Sequence, residues 1–292
     1  MIPKEILSQI RRIQITTSRM ATDVFVGQFR SVFKGRGMEF DEVREYIPGD
    51  DIRNIDWNVT ARFGHPYLKK FVEERELTIM IVLDYSSSCR YGTVKRLKIE
   101  LAAEIAAVLG FSAIRSNDKI GLIIFTDRIE KFIPPRKGHI HVLRLVREIL
   151  YYQPKGNGTN ISLALDFLNK VTKRKTISFL ISDFLDTGFK KSLSIANKRH
   201  DVVSILITDP SEFFIKNFGI IKFKDAETNK EFYFDSADEN SRKIYYKKAN
   251  ERIAQLDRLF LSTNIDTIKI QTDRPYLPEL IRFFKKRERR IH

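Results

Sequence analysis

One apolar run constrains the fold of this chain more than any other stretch of its sequence. Residues 78–83 read Thr-Ile-Met-Ile-Val-Leu, and this largely β-branched run ends at Asp84. Such a run is typical of a strand that is buried on both faces, as in a parallel sheet. Ser86 and Ser88 follow the aspartate at alternate positions. Because open α/β sheets bind ligands beyond the carboxyl ends of their strands, we expect these three side chains to lie at a binding site.

Two more oxygen-bearing side chains occur downstream. Thr159 lies in the glycine-rich stretch 156–160, which opens a helical pattern, and Asp183 closes a second apolar run, 176–182. Carboxylates and hydroxyls displayed together are hard oxygen donors, the kind that Mg²⁺ prefers. The simpler alternative is that Asp84 and Asp183 only cap the helices that follow their strands.

These five residues resemble a known metal site. Asp84, Ser86, Ser88, Thr159 and Asp183 match, in order, the metal-ion-dependent adhesion site of von Willebrand factor type A domains. The resemblance implies an α/β fold of the type A class, Rossmann-like, with a mostly parallel sheet and helices on both faces. It also implies that the five residues hold Mg²⁺, or alternatively Mn²⁺ or Ca²⁺, with one or both carboxylates acting through water. One position on the ion then remains for the carboxylate of a partner protein.

The rest of the chain agrees with this class of fold, because strand and helix patterns alternate from residue 78 onward. We therefore predict a domain over residues 77–292. Within it, residues 218–235 alternate with period two around a polar turn, which predicts an inserted β-hairpin.

Two local features in the middle of this domain carry their own predictions. Pro134 and Pro135 are expected to end a short strand that begins near residue 130. His139 and His141 flank Ile140 at the start of a helix and are expected to lie on the surface, since the five histidines of the chain have no metal-site or triad spacing.

Residues 1–76 differ in character from the rest of the chain. An amphipathic helix is predicted from about Lys4 to Ile13, followed by a small β-rich arm with the motif Gly-Arg-Gly-Met-Glu-Phe-Asp-Glu-Val-Arg-Glu-Tyr-Ile-Pro-Gly-Asp-Asp-Ile-Arg-Asn-Ile-Asp-Trp. One interpretation is an arm that is held by ion pairs around the only tryptophan. The other is a second, partner-binding surface. The candidate residues for that surface are Glu39, Arg44, Asp50, Asp51, Arg53, Asp56 and Trp57.

The composition limits the remaining possibilities. The formal net charge is +15, but the basic residues are scattered, and helix-turn-helix, zinc-finger and RNA-recognition signatures are absent. A single cysteine, Cys89, excludes an intrachain disulfide and fits a reducing compartment. No apolar run approaches the ~20 residues that a membrane helix needs. We therefore expect a cytoplasmic protein, with peripheral contact to an anionic membrane surface as an option.

The motif in the arm resembles the signature of a bacterial family that is catalogued as a domain of unknown function. Similarity extends to residues 73–76, 208–212 and 272–275 and so covers nearly the whole chain. Members of that family couple such an arm to a type A domain and are typically encoded beside MoxR-type AAA+ ATPases, some in the Bat aerotolerance group. This chain departs from the pattern at Ser87 and Cys89, where the family often has glycine and methionine.

The resemblance favours a non-enzymatic adaptor that binds a MoxR-type ATPase through a metal-bridged carboxylate. A second hypothesis is a nucleic-acid or membrane-surface binder that depends on the basic charge. A third is a Mg²⁺-dependent phosphohydrolase. Against the third, the sequence has no phosphate-binding Gly-x-x-x-x-Gly-Lys-Ser/Thr loop, and the motif at Asp84 lacks the second aspartate of Asp-x-Asp phosphotransferases.

Overall fold

The structure is a computed structural model, and it describes residues 26, 27, 29, 32, 39–72, 76–94, 96–225, 227 and 230–291. The chain divides into two compact units. The smaller unit lies within residues 33–77, and the larger unit is formed by residues on both sides of it in the chain. The helix predicted from Lys4 to Ile13 lies outside the described residues.

The smaller unit is built on one pair of antiparallel strands with a short helix between them. Its elements are β1 (Glu39–Glu45), α1 (Trp57–Phe63) and β2 (Tyr67–Val72). The helix begins after Asp56, whose carboxylate accepts hydrogen bonds from the backbone N–H groups of Asn58 and Val59. It ends at Gly64, which has a φ of 73°, the left-handed conformation that glycine adopts without steric cost.

The larger unit alternates strands and helices. Its strands are β3 (Thr78–Asp84), β4 (Lys119–Phe125), β5 (Ile129–Arg136), β6 (Ile177–Ser182), β7 (Asp201–Thr208), β8 (Ile220–Lys224), β9 (Glu231–Asp235) and β10 (Asp266–Gln271). Its helices are α2 (Lys98–Arg115), α3 (His139–Tyr151), α4 (Ile161–Val171), α5 (Lys190–Arg199), α6 (Glu239–Ser262) and α7 (Leu277–Ile291). Phe29, which precedes the smaller unit in the chain, packs edge-on against Phe284 of α7, with ring centroids 5.5 Å apart.

Six of these strands form the central sheet, in the order β10-β7-β6-β3-β4-β5. All neighbours pair in parallel except β5, which is antiparallel to β4. Met80 and Val82 point from one face of β3 into a core that also contains side chains of α4, α5 and α6. Successive side chains of a strand point to opposite faces, and α2 and α3 contact the sheet at β3 and β4. The prediction of an α/β fold with a mostly parallel sheet and flanking helices is confirmed.

The edge strand β5 differs from its prediction. It continues through Pro134 and Pro135 to Arg136 rather than ending at the prolines. Because β5 pairs only with β4, a proline N that faces away from β4 costs no hydrogen bond in the ladder. The pairing also shifts register between Ile120 and Leu122 of β4, opposite the proline pair.

The order of the strands defines where a ligand site is expected. From β3 the chain first fills β4 and β5 on one side, and later fills β6, β7 and β10 on the other. The sheet therefore has a topological switch point between β3 and β6, and ligands of open α/β sheets bind at the carboxyl ends of strands at such a point. Asp84 ends β3 and Asp183 directly follows β6.

A small β-hairpin is inserted between β7 and α6. Among the strands that the structure describes, β8 and β9 pair only with each other, in a register that places Phe223 opposite Phe232. The two rings stack with centroids 5.4 Å apart, and Phe234 reaches Tyr245 of α6 at 5.7 Å. In the described part of the chain, none of the helices combines the length and apolar character needed to cross a membrane.

Candidate metal centre

Asp84 is buried at the end of the central strand, with none of its surface exposed to solvent. Its Oδ1 accepts a hydrogen bond from the backbone N–H of Ser86 at 2.9 Å, and its Oδ2 accepts one from the Ser182 hydroxyl at 2.6 Å. The carboxylate is thus held in one orientation by the turn after its own strand and by the neighbouring strand β6.

The hydroxyls of Ser86 and Ser88 lie together beside this carboxylate, with their Oγ atoms 3.0 Å apart. They are brought together because the chain curls into a short 3₁₀ turn, Ser87–Arg90, directly after Ser86. The N–H of Ser87 donates to the carbonyl of Asn157 at 3.0 Å, which ties this turn to the glycine-rich loop that carries Thr159.

The loop that carries Thr159 is positioned by Glu130, a residue that the sequence did not single out. The Glu130 carboxylate accepts hydrogen bonds from the N–H groups of Lys155 and Gly156 at 3.1 and 2.8 Å, and from the Thr126 hydroxyl at 2.8 Å. A side chain at Gly156 would not fit, because a Cβ there would lie 2.3 Å from the hydroxyl oxygen of Thr126. The close approach of this loop to the sheet therefore requires glycine at position 156.

Asp183 is also fully buried, and its charge is met by a buried lysine. Lys98, in the first turn of α2, is 3% exposed and places its Nζ 2.9 Å from Asp183 Oδ2 and 2.5 Å from Glu212 Oε1. Arg252 of α6 donates to the other oxygen of Glu212 at 2.8 Å and to the backbone carbonyl of Asp183 at 3.0 Å. Burial alone would lower the pKa of Lys98, but the charges of Asp183 and Glu212 outweigh this and raise it, so Lys98 is a cation.

A further carboxylate reaches the site from the inserted hairpin. Glu227 lies in the loop between β8 and β9, and its Oε1 accepts a hydrogen bond from the Thr159 hydroxyl at 2.8 Å and lies 3.5 Å from Ser88 Oγ. Partial burial raises the pKa of Glu227, and the negative charge of Asp183 acts in the same direction. No pattern in the sequence predicts this contact, because Glu227 is one of several polar residues in a polar turn.

The electrostatics of the site are dominated by Asp84 and Asp183. Oxygens of these two carboxylates and the Cys89 sulfur all lie within 4.8 Å of one another, and all three residues are buried. Burial, and then repulsion by the charge of Asp183, raises the pKa of Asp84 to about 7. The same two effects raise the pKa of the Cys89 thiol, which is therefore a neutral group in this setting.

The arrangement fits a divalent cation. The ionisable side chains around the site include the carboxylates of Asp84, Asp183, Glu212 and Glu227 and the cations Lys98 and Arg252. The carboxylates outnumber these two cations, and a divalent ion would offset the excess negative charge. Carboxylate and hydroxyl oxygens are also the donors that Mg²⁺, Mn²⁺ and Ca²⁺ take.

The alternative role of Asp84 and Asp183 as helix caps does not match the structure. Helix α2 begins at Lys98 with Leu97 at its N-cap, and α5 begins at Lys190 with Phe189 there. Neither aspartate is close enough in the chain to cap the next α-helix, so the structure excludes this simpler explanation for both.

The candidate residues of the smaller unit are mostly engaged locally. Arg44 forms an ion pair with Asp50 at 2.7 Å, and Asp50 also accepts from the N–H of Ile47. Asp51 caps a 3₁₀ turn by accepting from the N–H and Nε of Arg53. The side chain of Glu39 lies outside the described part of the chain.

Trp57 contradicts the interpretation of an arm held together around the tryptophan, because 70% of the surface of this residue is exposed. Asp56 caps the helix that Trp57 begins. The prediction that His141 lies on the surface is also wrong. His141 is buried, and its Nε2 lies 2.9 Å from the backbone carbonyl oxygen of Ile120.

The chain is similar in sequence to uncharacterized proteins of Mycobacterium. An uncharacterized protein of Mycobacterium tuberculosis, Rv1480, is 29% identical over 290 residues, covering 98% of this chain and 90% of that protein. An uncharacterized protein of Mycobacterium avium, MAV169, is 28% identical over 162 residues, covering 54% of this chain and 94% of that protein.

Similar solved structures include the conserved hypothetical protein BatB of Bacteroides thetaiotaomicron, with a TM-score of 0.46 and 16% identity over 73% of this chain and 99% of that chain. An aerotolerance-related membrane protein of Bacteroides fragilis aligns with a TM-score of 0.45 and 16% identity over 72% of this chain and 99% of that one. Proximal thread matrix protein 1 of the mussel byssus, solved with a zinc-occupied adhesion motif, aligns with a TM-score of 0.37 and 17% identity over 45% of this chain and 38% of that one.

A family model matches residues 42–255, which include the end of the smaller unit's first strand, all five predicted metal ligands and the inserted hairpin. The match covers more than half of the chain. The chain therefore belongs to the family described as protein of unknown function DUF58.

Proposed function

We propose that this chain is a non-enzymatic, metal-dependent protein-binding subunit, whose site holds Mg²⁺ and uses it to bind a carboxylate of a partner protein. The observation that carries the proposal is the pair of fully buried carboxylates, Asp84 and Asp183, which face each other beside three hydroxyls at the switch point of the sheet. Two buried like charges are costly unless a cation lies near them. Lys98 supplies one positive charge, and the network remains negative without a further ion.

Each residue of the site has a distinct role in this proposal. The hydroxyls of Ser86, Ser88 and Thr159 are neutral ligands, and Asp84 and Asp183 supply the charge that attracts the ion. Asp183 already accepts a hydrogen bond from Lys98, which favours its acting on the ion through water. When bound, the ion supplies a positive centre that keeps a coordination position for an oxygen from outside. Mn²⁺ and Ca²⁺ take the same donors and are alternative ions.

The partner that we propose is an AAA+ ATPase of the MoxR type, acting in the cytoplasm. The support is the family resemblance, in which chains of this kind are encoded beside such ATPases. A partner of this class would present a glutamate or aspartate to the ion. Because the bound carboxylate would interact with the metal rather than with protein donors alone, association would require both.

The test is affinity capture from the cell's own lysate, in the presence of Mg²⁺ and ATP or in the presence of EDTA. We expect wild type to retain the ATPase in Mg²⁺ and to lose it in EDTA, and we expect Asp84→Asn to lose it in both. Asp166→Asn, which removes an exposed aspartate on α4, is the matched control and should bind like wild type.

Capture that persists in EDTA and in Asp84→Asn would overturn metal bridging. If that binding weakened steeply with salt, it would favour recognition of an acidic partner by the basic surface. Turnover of phosphate esters that required both Mg²⁺ and Asp84 would instead favour a phosphohydrolase.

A further inference from the structure

The loop between β8 and β9 delivers one side chain to the candidate metal centre. The loop is closed by a hydrogen bond from the N–H of Asp225 to the carbonyl of Lys230 at 2.8 Å. The Asp225 carboxylate accepts from the N–H of Glu227 at 2.9 Å, which directs the chain at this point. Glu227 then reaches across the gap between hairpin and sheet to Thr159 and Ser88.

The two groups that Glu227 contacts are themselves candidate metal ligands. Its Oε1 is 2.8 Å from Thr159 Oγ1, and the Ser88 hydroxyl that it approaches lies 3.0 Å from Ser86 Oγ. Its second oxygen, Oε2, would be in ordinary van der Waals contact, at 3.8 Å, with a Cβ at Gly158. One carboxylate oxygen of the hairpin therefore sits at the hydroxyl side of the site.

The charges around Glu227 make the position of its carboxylate unfavourable. In the described part of the chain no lysine or arginine forms an ion pair with Glu227, and the nearby Lys98 is directed at Asp183 and Glu212 instead. Glu227 is half-buried, and it interacts with the charge of Asp183. A carboxylate in such a position is destabilised by its neighbours unless a cation lies between them. Its hydrogen bond from one hydroxyl does not supply that charge.

We propose that Glu227 is an internal ligand of the metal ion, occupying the position that a partner's carboxylate would take. The proposal rests on the metal-binding function proposed above and adds a step to it. With the hairpin closed, the site is complete within one chain. An acidic side chain of a partner would then have to displace Glu227 from its position beside Thr159 and Ser88.

The hairpin is separate from the hydrogen-bond ladder of the central sheet. Its strands pair with each other and with no strand of the central sheet, and Ile220 and Tyr233 are mostly exposed. Its base is held by Ser236, whose N–H and hydroxyl both donate to the carbonyl of Gly219 at 2.9 and 2.6 Å. Movement of the hairpin therefore breaks no hydrogen bond in the ladder of the central sheet.

The experiment uses Mn²⁺, whose effect on the relaxation of water protons reports how many water molecules exchange at the bound ion. Wild type is compared with Glu227→Gln, which retains a hydrogen-bond acceptor for Thr159 but removes the charge. The matched control is Glu231→Gln, on the same hairpin, where Glu231 pairs with Lys222 at the surface. We expect Glu227→Gln to bind Mn²⁺ about tenfold more weakly. Its bound ion should also give a higher relaxivity, because water replaces the lost carboxylate.

A second measurement detects the hairpin directly. Addition of Mg²⁺ to wild type should slow amide hydrogen exchange within residues 220–235, and it should not do so in Glu227→Gln. Acetate, the simplest carboxylate, should lower the relaxivity of the Mn²⁺ form at smaller concentrations in Glu227→Gln than in wild type, since there is no internal ligand to displace.

The outcomes separate this inference from the proposed function. If wild type binds Mn²⁺ and Asp84→Asn does not, while Glu227→Gln matches wild type in affinity, relaxivity and exchange, Glu227 is not a ligand and the metal site stands. If wild type itself binds no Mn²⁺ or Mg²⁺, both proposals fail together. A change in Glu231→Gln as large as that in Glu227→Gln would overturn the assignment to Glu227, because it would show a general effect of charge on the hairpin.

Discussion

Asp84 and Asp209 are both aspartates at the carboxyl ends of parallel strands in one sheet, and neither has any exposed surface. Their environments are opposite. Asp209 accepts hydrogen bonds from the N–H and hydroxyl of Thr93, the N–H and hydroxyl of Ser211, and the hydroxyl of Thr272. Asp84 has two donors, Ser86 and Ser182, and faces a second carboxylate.

This contrast separates a structural aspartate from one that is available to a ligand. Burial by itself would raise the pKa of Asp209, but the hydrogen bonds from Thr93 and Ser211 overcome it and hold the pKa well below its usual range. Burial together with Asp183 raises the pKa of Asp84 to about 7. The protein's own donors satisfy the charge of Asp209, whereas the charge of Asp84 is left for something else to neutralise.

The largest effect on stability is expected from a substitution of Asp209, whose charge is satisfied by donors of the protein. Asp209→Asn turns an acceptor of several hydrogen bonds into a group with one acceptor oxygen and two N–H donors, and leaves buried hydroxyls and N–H groups without partners. We expect the free energy of unfolding to fall by about 3 kcal/mol or more. Urea denaturation in EDTA measures this. The paired variant Asp84→Asn should show no loss under the same conditions, and equal losses in both would contradict the comparison.

When Mg²⁺ is added, the gain in stability should depend on Asp84 and not on Asp209. At a Mg²⁺ concentration of 100 times Kd, wild type should gain about 2.7 kcal/mol of unfolding free energy, because the ion binds the folded state alone. Asp84→Asn should gain nothing, while Asp209→Asn should gain about as much as wild type. A thermal-shift titration is sufficient. A gain in Asp84→Asn equal to that of wild type would mean that the ion binds elsewhere.

In the metal-free protein, the contribution of Asp84 to the free energy of unfolding should depend on pH with a characteristic sign. Because the folded-state pKa of Asp84 is about 7 and that of an unfolded aspartate is about 3.9, the folded state binds more protons between these values. The free energy of unfolding of wild type relative to Asp84→Asn should therefore fall as pH rises from 5 to 7, by on the order of 2 kcal/mol. Urea titrations in EDTA at three pH values measure the difference, and a difference that stayed constant across this range would contradict the prediction.

The comparison with Asp84→Asn is needed because another buried group titrates in the same range. Burial lowers the pKa of His200 to about 4, so its contribution to stability is present above the unfolded pKa of about 6.5 and is lost as pH falls through this window. That slope is opposite in sign to the one from Asp84. Since His200 is present in both proteins, its contribution cancels in the difference.

The smallest predicted effect concerns a third carboxylate at this edge of the sheet. Glu130 resembles Asp209 in that protein donors satisfy it, but what it holds is the loop that carries Thr159. We expect Glu130→Gln to weaken Mg²⁺ binding about tenfold by loosening that loop. Isothermal titration calorimetry measures the affinity, with Glu279→Gln on α7 as the control. If Mg²⁺ affinity were unchanged, the position of Thr159 would not depend on Glu130.

The sequence was sufficient for the residues whose role is set by a local pattern. Asp84 and Asp183 were found because each closes an apolar run, and parallel strands bring such ends to one edge. Lys98, Glu130 and Glu227 were missed because their contacts join positions far apart in the chain, and no local spacing marks them. Lys98 is an example, since a lysine at the start of a helix is ordinarily solvated and here is buried, with its charge paired to Asp183 and Glu212.

Trp57 and the prolines of β5 show a different limit. One interpretation placed the lone tryptophan at the centre of an ion-paired arm, but its side chain is exposed, and Asp56 caps the helix that Trp57 begins. Pro134 and Pro135 were expected to end a strand, and they do not because that strand lies at the edge. In both cases the residue type alone does not decide the structure, because the position of the residue in the sheet or helix matters more.

The hairpin that holds Glu227 has a consequence for selectivity. A carboxylate tethered by a short loop acts at an effective concentration of about a millimolar or more. Small acids dissolved in the cell would then compete poorly for the ion, because each would have to displace the Glu227 carboxylate, which stays attached to the chain. A protein partner that also binds a second surface of the chain raises the effective concentration of its own carboxylate. Such a partner can therefore compete with Glu227 where a small acid cannot. An internal ligand of this kind would reserve the metal for partners that bind at two points.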